Sequence, residues 1–160
     1  MGAANVERKP VGGVARAVLY RPDDDMEIAF GDGECYAVFN CEGVEVVLLD
    51  DSSSFEECIA PDAGAVSVVH TLTLVAARGD AVAWTAPGFA ERVTHEGVIA
   101  DLTLNDGRRM VVGCSEALGT EQPLRLASLR CDSGLRLTQT PTVTLTLRSE
   151  DTALDRKSVV

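Results

Sequence analysis

Aromatic residues are scarce in this chain: one Trp, two Tyr and four Phe amount to 4% of 160 residues. Stacking platforms for sugars or single strands need aromatic faces, so both are disfavoured. Cations are also few, with 14 Lys and Arg against 25 Asp and Glu and a formal charge of −11. Gripping a nucleic-acid backbone calls for clustered Lys and Arg, so sequence-specific nucleic-acid binding is not expected. Solubility and repulsion between monomers explain such a charge; so does a negative channel that nucleic acid passes along without sticking. No apolar run approaches the roughly 20 residues of a membrane helix, so no membrane partner is expected. The longest, 44–49, is broken by Glu45 and is strand-sized. The opening MGAANVERKPVGG has no apolar core of the signal-peptide kind, and Val6 stands where myristoylation needs Ser or Thr.

The cysteines (Cys35, Cys41, Cys58, Cys114, Cys131) are odd in number and form no C-x-x-C pair. A disulfide scaffold or zinc cluster is therefore a poor reading, and buried free thiols in a reducing cytoplasm fit better. Other motifs miss their marks. Asp23-Asp24-Asp25 resembles a calcium loop, but Ile28 occupies the sixth position, where the turn requires Gly. Gly31-Asp32-Gly33 lacks the third glycine and the strand–helix context of a phosphate loop. Residues 113–117 nearly match a nucleophile elbow, but Ala117 replaces the last glycine and no helix signal follows. Carboxylates are too abundant for any one pair to specify a glycosidase. His70 and His95 have no candidate nucleophile near them in sequence, and Cys and His lack metal-ligand spacing. No catalytic, cofactor-binding or metal residue is nominated, and no enzyme activity or cofactor is expected.

What is present is alternation. Val66–Ala76 is the longest strand pattern, with Val66, Val68, His70, Leu72 and Leu74 on one face. His70 thus sits in an aliphatic row, as a core or interface histidine with a satisfied hydrogen bond. Residues 98–114 predict a hairpin. A three-residue loop, Asn105-Asp106-Gly107, would pair Leu104 with Arg108, Leu102 with Met110, Ala100 with Val112 and Val98 with Cys114. This register keeps the faces more uniform than a two-residue turn at Asp106-Gly107. Further strands are expected at Val14–Tyr20, Glu27–Phe30, Pro123–Cys131 and Thr142–Ser149, the last with Val143, Leu145 and Leu147 inward. Residues 34–50 read as a second hairpin turning at Glu42-Gly43. The chain is expected to cross between sheets near 61–64, after Phe55–Cys58. Ser115–Gln122 reads as a polar connection and Asp132-Ser133-Gly134 as a turn. The Thr/Leu segments at 70–76 and 142–149 are alike, but too generic to be a repeat.

Helix is expected only around 80–96. Asp80 would cap a first turn holding Trp84, and Pro87 would open a second piece to His95. Phe89 and Val93 would face the sheet with Ala86 and Ala90, His95 would favour the helix dipole, and Gly97 would end the helix. The expected fold is thus mainly β (α+β), an antiparallel β-sandwich or barrel with one short helix. It comprises a flexible arm at 1–12, a single β-rich domain at 13–149 and a charged, flexible tail at 150–160.

Several segments carry a resemblance: VVHTLTL around 69–74, the helix with Trp84 and Phe89, GVIADLTLNDGRRMVVG (97–113), GTEQPLRLASLRCDSG (119–134) and PTVTLTLRSEDT (141–152). Across 66–152 the chain resembles phage tail or tail-tube-like structural proteins of prophages in gut bacteria. The resemblance implies a β-sandwich or barrel with a flanking helix, assembling into rings whose acidic lumen lets DNA slide. The first 65 residues do not share it. The expectation is a non-enzymatic structural subunit, a homo-oligomer built through β-edges and arms. Other virion-type proteins would be its partners, and its location cytoplasmic, or in a virion. The alternatives are a small ligand- or protein-binding β-sandwich, and an enzyme of unrecognised type centred on His70 and acidic pairs.

Overall fold

A computed structural model of the chain describes residues 12–22, 26–31, 34–39, 42–62, 65–114, 123–134 and 137–151. The first strands among them are β1 (Val14–Tyr20), β2 (Met26–Gly31), β3 (Glu34–Phe39), β4 (Val44–Glu45), β5 (Ser54–Asp62) and β6 (Ala65–Ala77). Two helices follow, α1 (Val82–Thr85) and α2 (Phe89–His95), then β7 (Ile99–Leu104), β8 (Arg109–Val112), β9 (Arg125–Asp132) and β10 (Thr142–Asp151). One antiparallel sheet has the order β4-β1-β7-β8 and the other β5-β6-β10-β9; β2 and β3 pair separately. The two four-stranded sheets pack as an open sandwich, not a closed barrel.

The core follows from the alternation. Leu72, Leu74 and Ala76 of β6 lie beside Val143, Leu145 and Leu147 of β10, all at 0% exposure. Facing them are Ala17, Leu19, Ala100, Leu102, Met110 and Val112 of the other sheet. Burying each large aliphatic side chain contributes about 1.5–3 kcal/mol. Trp84, Phe89 and Val93 complete this core from the helices, and α2 lies against β9.

The hairpin register is as expected: Ala100 faces Val112, Leu102 faces Met110, and the Leu104 N–H donates to the Arg108 carbonyl at 2.8 Å. Gly107 takes φ +89°, the left-handed position that closes a three-residue loop. The predicted Val98–Cys114 pair does not form, because Val98 exchanges both backbone hydrogen bonds with Leu124, at 2.8 and 3.0 Å.

Residues 34–50 do not form a hairpin. β3 pairs with β2, and only Val44–Glu45 of the expected second arm is strand, paired with β1. Beyond it, Val46 is buried, the Leu49 N–H donates to the Val75 carbonyl, and Ser53 Oγ accepts from the Val75 N–H. Segment 46–53 is thus the crossing between sheets, upstream of the expected 61–64. Phe55–Cys58 instead belongs to β5, where Pro61 is tolerated because β5 is an outer strand. In β9 the alternation slips by one residue: Leu147 faces Leu126 while Thr146 faces Ser128. Ala127 is the extra residue of a bulge, which returns Leu129 to the inner face opposite Leu145.

There are two helices here rather than one, because Ala86 precedes Pro87 and is held extended at ψ 148°. Asp80 does not cap: its N–H closes a turn onto the Ala77 carbonyl, and Ala81 takes the cap position. Pro87 precedes the Gly88 cap of α2 instead of opening the helix, and Ala86 is exposed. Gly97, at φ +76°, ends this region, and a Cβ there would lie 2.8 Å from the Leu124 carbonyl oxygen. Cys114 is buried, but Cys58 and Cys131 are exposed because both lie on outer strands.

The outward residues of β7 and β8 are partly covered within the chain: Ile99 and Val111 are buried, and β3 runs close to β8. β10 continues to Asp151, two residues into the expected tail. Residues 1–11 of the expected arm at 1–12, the acidic triplet at 23–25, Asp32 and Gly33, the connection at 115–122 and the tail beyond 151 lie outside the described residues.

At the sheet edge, the Arg16 guanidinium forks onto Glu45, with Nη2 donating to Oε2 at 3.0 Å and Nε donating to Oε1. This hydrogen bonding holds the Glu45 carboxyl below its usual range, aided by the Arg16 charge and opposed by partial burial. A lowered carboxylate stabilises above its unfolded pKa of about 4.3 and loses that contribution as pH falls through the folded value. Glu45→Gln should therefore lower the urea midpoint at neutral pH and leave it unchanged near about pH 2. Leu145→Ala should destabilise the fold by about 2–5 kcal/mol in the same urea measurement.

Candidate functional site

His70 is where the sequence offered a reactive group without partners, and the sheet supplies them. The β5–β6–β10 register sets Glu57 opposite His70, and His70 opposite Ser149. All three belong to one cross-strand row on the inner face. His70 is 1% exposed; its Nε2 lies 3.5 Å from Glu57 Oε2, and its Nδ1 3.5 Å from Ser149 Oγ. The Phe55 ring stands edge-on to the imidazole, with centroids 6.0 Å apart. Sequence reasoning missed Glu57 because Phe55–Cys58 was not read as strand. The signal for Ser149 was available: it continues the inward positions Val143, Leu145 and Leu147.

Glu57 also lines a cavity of about 270 Å³ between the start of β1, β5 and the β7–β8 turn. Its apolar walls include Val14, Phe55, Leu104 and Met110, and Arg108 at the rim donates to Asp106 at 2.6 Å. The order from cavity inward is carboxylate, imidazole, hydroxyl. A serine nucleophile must meet the substrate, with histidine between it and the acid. Here the hydroxyl lies at the far end of the row, and the carboxylate meets the cavity. The row can orient Glu57 through the imidazole, but it does not present Ser149 for attack.

A second cavity, of about 180 Å³, lies between β1, the segment before β4, and α2. Its apolar surface comes from Leu19, Val44, Phe89 and Val98, and its charged groups are Arg21, Arg92 and Glu42. Arg21 forks onto Glu96 at 3.0 and 3.3 Å. The Arg92 guanidinium stands 5.8 Å from the Phe89 ring centre. His95 is exposed in the last turn of α2, where its expected dipole role places it.

On the outer face of β7 and β8, Asp101 Oδ2 accepts from Arg109 at 2.6 Å, while Oδ1 is buried without a hydrogen bond. Trp84 Nε1 is likewise buried without an acceptor. Among the described residues no group of three or more His, Cys, Asp or Glu could hold a metal, and no helix is long and apolar enough to cross a membrane.

Comparisons with known protein families, with curated proteins and with solved structures give no match to this chain. The geometry therefore carries the functional argument.

A packing histidine and a poised one differ in what their deletion does. His70→Ala should cost about 2–4 kcal/mol, through a cavity and a polar group left in it. Ser149→Ala should cost less than about 1 kcal/mol, because a 3.5 Å contact lies at the outer limit of a hydrogen bond. Urea unfolding of both variants checks this; a Ser149→Ala loss as large as that of His70→Ala would contradict the structural role.

Proposed function

We propose that the chain is a non-enzymatic structural subunit of a phage-tail-like assembly, self-associating through β-edges and its terminal arms. The observation that carries this reading is one row across the outer face of the β5-β6-β10-β9 sheet. Glu56, Thr71, Arg148 and Arg125 occupy successive strands of that row. It begins in an acid on one outer strand and ends in two bases, Arg148 on the central strand β10 and Arg125 on the other outer strand. Arg148 and Arg125 stand directly opposite each other, and Arg130 is exposed further along β9. Like charges in directly opposed positions destabilise a sheet. Such a cluster in a chain of net charge −11 is relieved by an acidic neighbour.

A second copy supplies that neighbour. The sheet is antiparallel with an even number of strands, so its outer strands β5 and β9 run in opposite directions. β9 of one copy beside β5 of the next would continue the antiparallel ladder and bring Arg125 to Glu56. Such a head-to-tail contact closes into a ring or extends into a filament. Ile59, 57% exposed on β5, would gain cover in the same contact. The arm would leave from Gly12, whose carbonyl accepts from Asn105 Nδ2 at 2.7 Å. A virion location, with other virion-type proteins as further partners, belongs to the same proposal.

The cavity beside Glu57 favours the second reading, a small ligand- or protein-binding sandwich. Light scattering and negative-stain microscopy separate the two. The assembly reading expects rings or filaments that Glu56→Lys disperses and that the added change Arg125→Glu restores. A monomer persisting at high concentration would overturn it in favour of the second reading.

A further inference from the structure

The cavity between β1 and α2 carries an inference independent of assembly. Arg92 is half-buried, its Nε is inaccessible to water, and no hydrogen bond satisfies that nitrogen. Among the described residues its guanidinium has no ion-pair partner, while the neighbouring Arg21 is matched by Glu96. Nε itself is closed to any ligand, but Arg92 lines the cavity, and a half-buried cation without an ion-pair partner favours an anion beside it. The adjoining space has the shape of an answer. A volume of about 180 Å³ holds roughly six waters at liquid density, and its walls are largely aliphatic and aromatic. Water filling it would find few polar partners beyond the arginines and Glu42.

We propose that this cavity binds a small organic monocarboxylate, with its carboxylate on Arg92 and its apolar body against Leu19, Phe89 and Val98. Arg–carboxylate pairing is charge-assisted and uses the planar fork of the guanidinium, which supplies both affinity and orientation. A single unmatched guanidinium selects one negative charge in preference to two. The size of the space selects a short aliphatic chain or a single ring. Phe89 holds the guanidinium from its ring face, so Arg92 is positioned before the ligand arrives. Glu42, the acid on the lining, opposes an anion and sets the direction of a second test.

Benzoate is the probe and benzamide its neutral twin, titrated into the full chain at physiological ionic strength and followed by backbone amide NMR. At that salt the screening length is about 8 Å, so the distant negative charge of the chain weighs little at Arg92. Benzoate should shift residues around Leu19, Phe89 and Val98 saturably, and benzamide should bind at least about tenfold more weakly, a difference of about 1.4 kcal/mol. Arg92→Gln should weaken benzoate by a similar factor, and Glu42→Gln should tighten it. Glu42 is exposed, so its variant keeps the test decisive even where Arg92→Gln disturbs the fold. Equal affinity for benzoate and benzamide, no saturable shift at tens of millimolar, or no tightening in Glu42→Gln would each overturn the proposal. None of these results depends on whether the chain forms rings.

Discussion

The pairing of β6 with β10 is the constraint on which the rest depends. These strands meet in an unbroken antiparallel register from Ala77–Thr142 to Val68–Asp151. Each presents leucine to one side and threonine to the other: Leu72 and Leu74 beside Leu147 and Leu145, Thr73 beside Thr146. A slip of β10 by one residue would turn its two fully buried leucines, with Val143, to the outer face and bring threonines into the core. At about 1.5–3 kcal/mol for each leucine, that error costs a large share of the roughly 5–15 kcal/mol by which a domain is stable. Burial therefore fixes the register. Everything placed by that register, including the Glu57–His70–Ser149 row inside and the Glu56–Arg125 row outside, inherits its precision.

Legibility of the fold follows the same physics. Where one face is buried and the other is not, as in Ala65–Ala77, Thr142–Asp151 and the β7–β8 hairpin, alternation marks strand, face and, for the hairpin, register. Elsewhere, local pattern and tertiary pairing diverge. VEVVLLD reads as a good strand, yet after Glu45 the chain leaves β1 and spends its apolar residues on the passage between sheets. FEEC reads only as the lead into a crossing near 61–64, yet it belongs to an outer strand whose alternate residues face outward. The Ala127 bulge also has no local mark: it restores Leu129 to the core after a break that only the partner strand reveals. The candidate site was half legible for the same reason. His70 was visible as a polar residue in an apolar row, but its acidic partner lay on the strand that alternation did not disclose.

Burial of that histidine has a structural cost that the row offsets. An imidazole at 1% exposure needs polar neighbours, and the ladder provides one from each adjacent strand. The neighbours differ in depth. Ser149 faces the interior, and Glu57 keeps 22% of its side chain exposed toward solvent. Glu57 therefore meets water at the boundary, while the ring in the interior need only accept or donate a hydrogen bond. That grading from polar rim to apolar centre suits a structural row, and it places the hydroxyl where no substrate would meet it.

Electrostatics links the two rows to the surface. Several arginines are answered locally: Arg16 by Glu45, Arg21 by Glu96, Arg108 by Asp106, Arg109 by Asp101. Among the described residues, Arg125, Arg130 and Arg148 have no ion-pair partner and share the outer face at one side of a sheet, and Arg92 has none in the cavity it lines with Arg21. In a chain with so large an excess of acid, matching these cations within the molecule would require only a nearby Asp or Glu. The two environments would suit two kinds of partner. An exposed row of bases beside a strand edge suits another strand carrying acid, since backbone pairing and charge then act along the same line. A half-buried guanidinium over a phenyl ring would suit a small anion with an apolar body, which meets the cation and the apolar walls together. Position in the fold, more than residue type, separates the two.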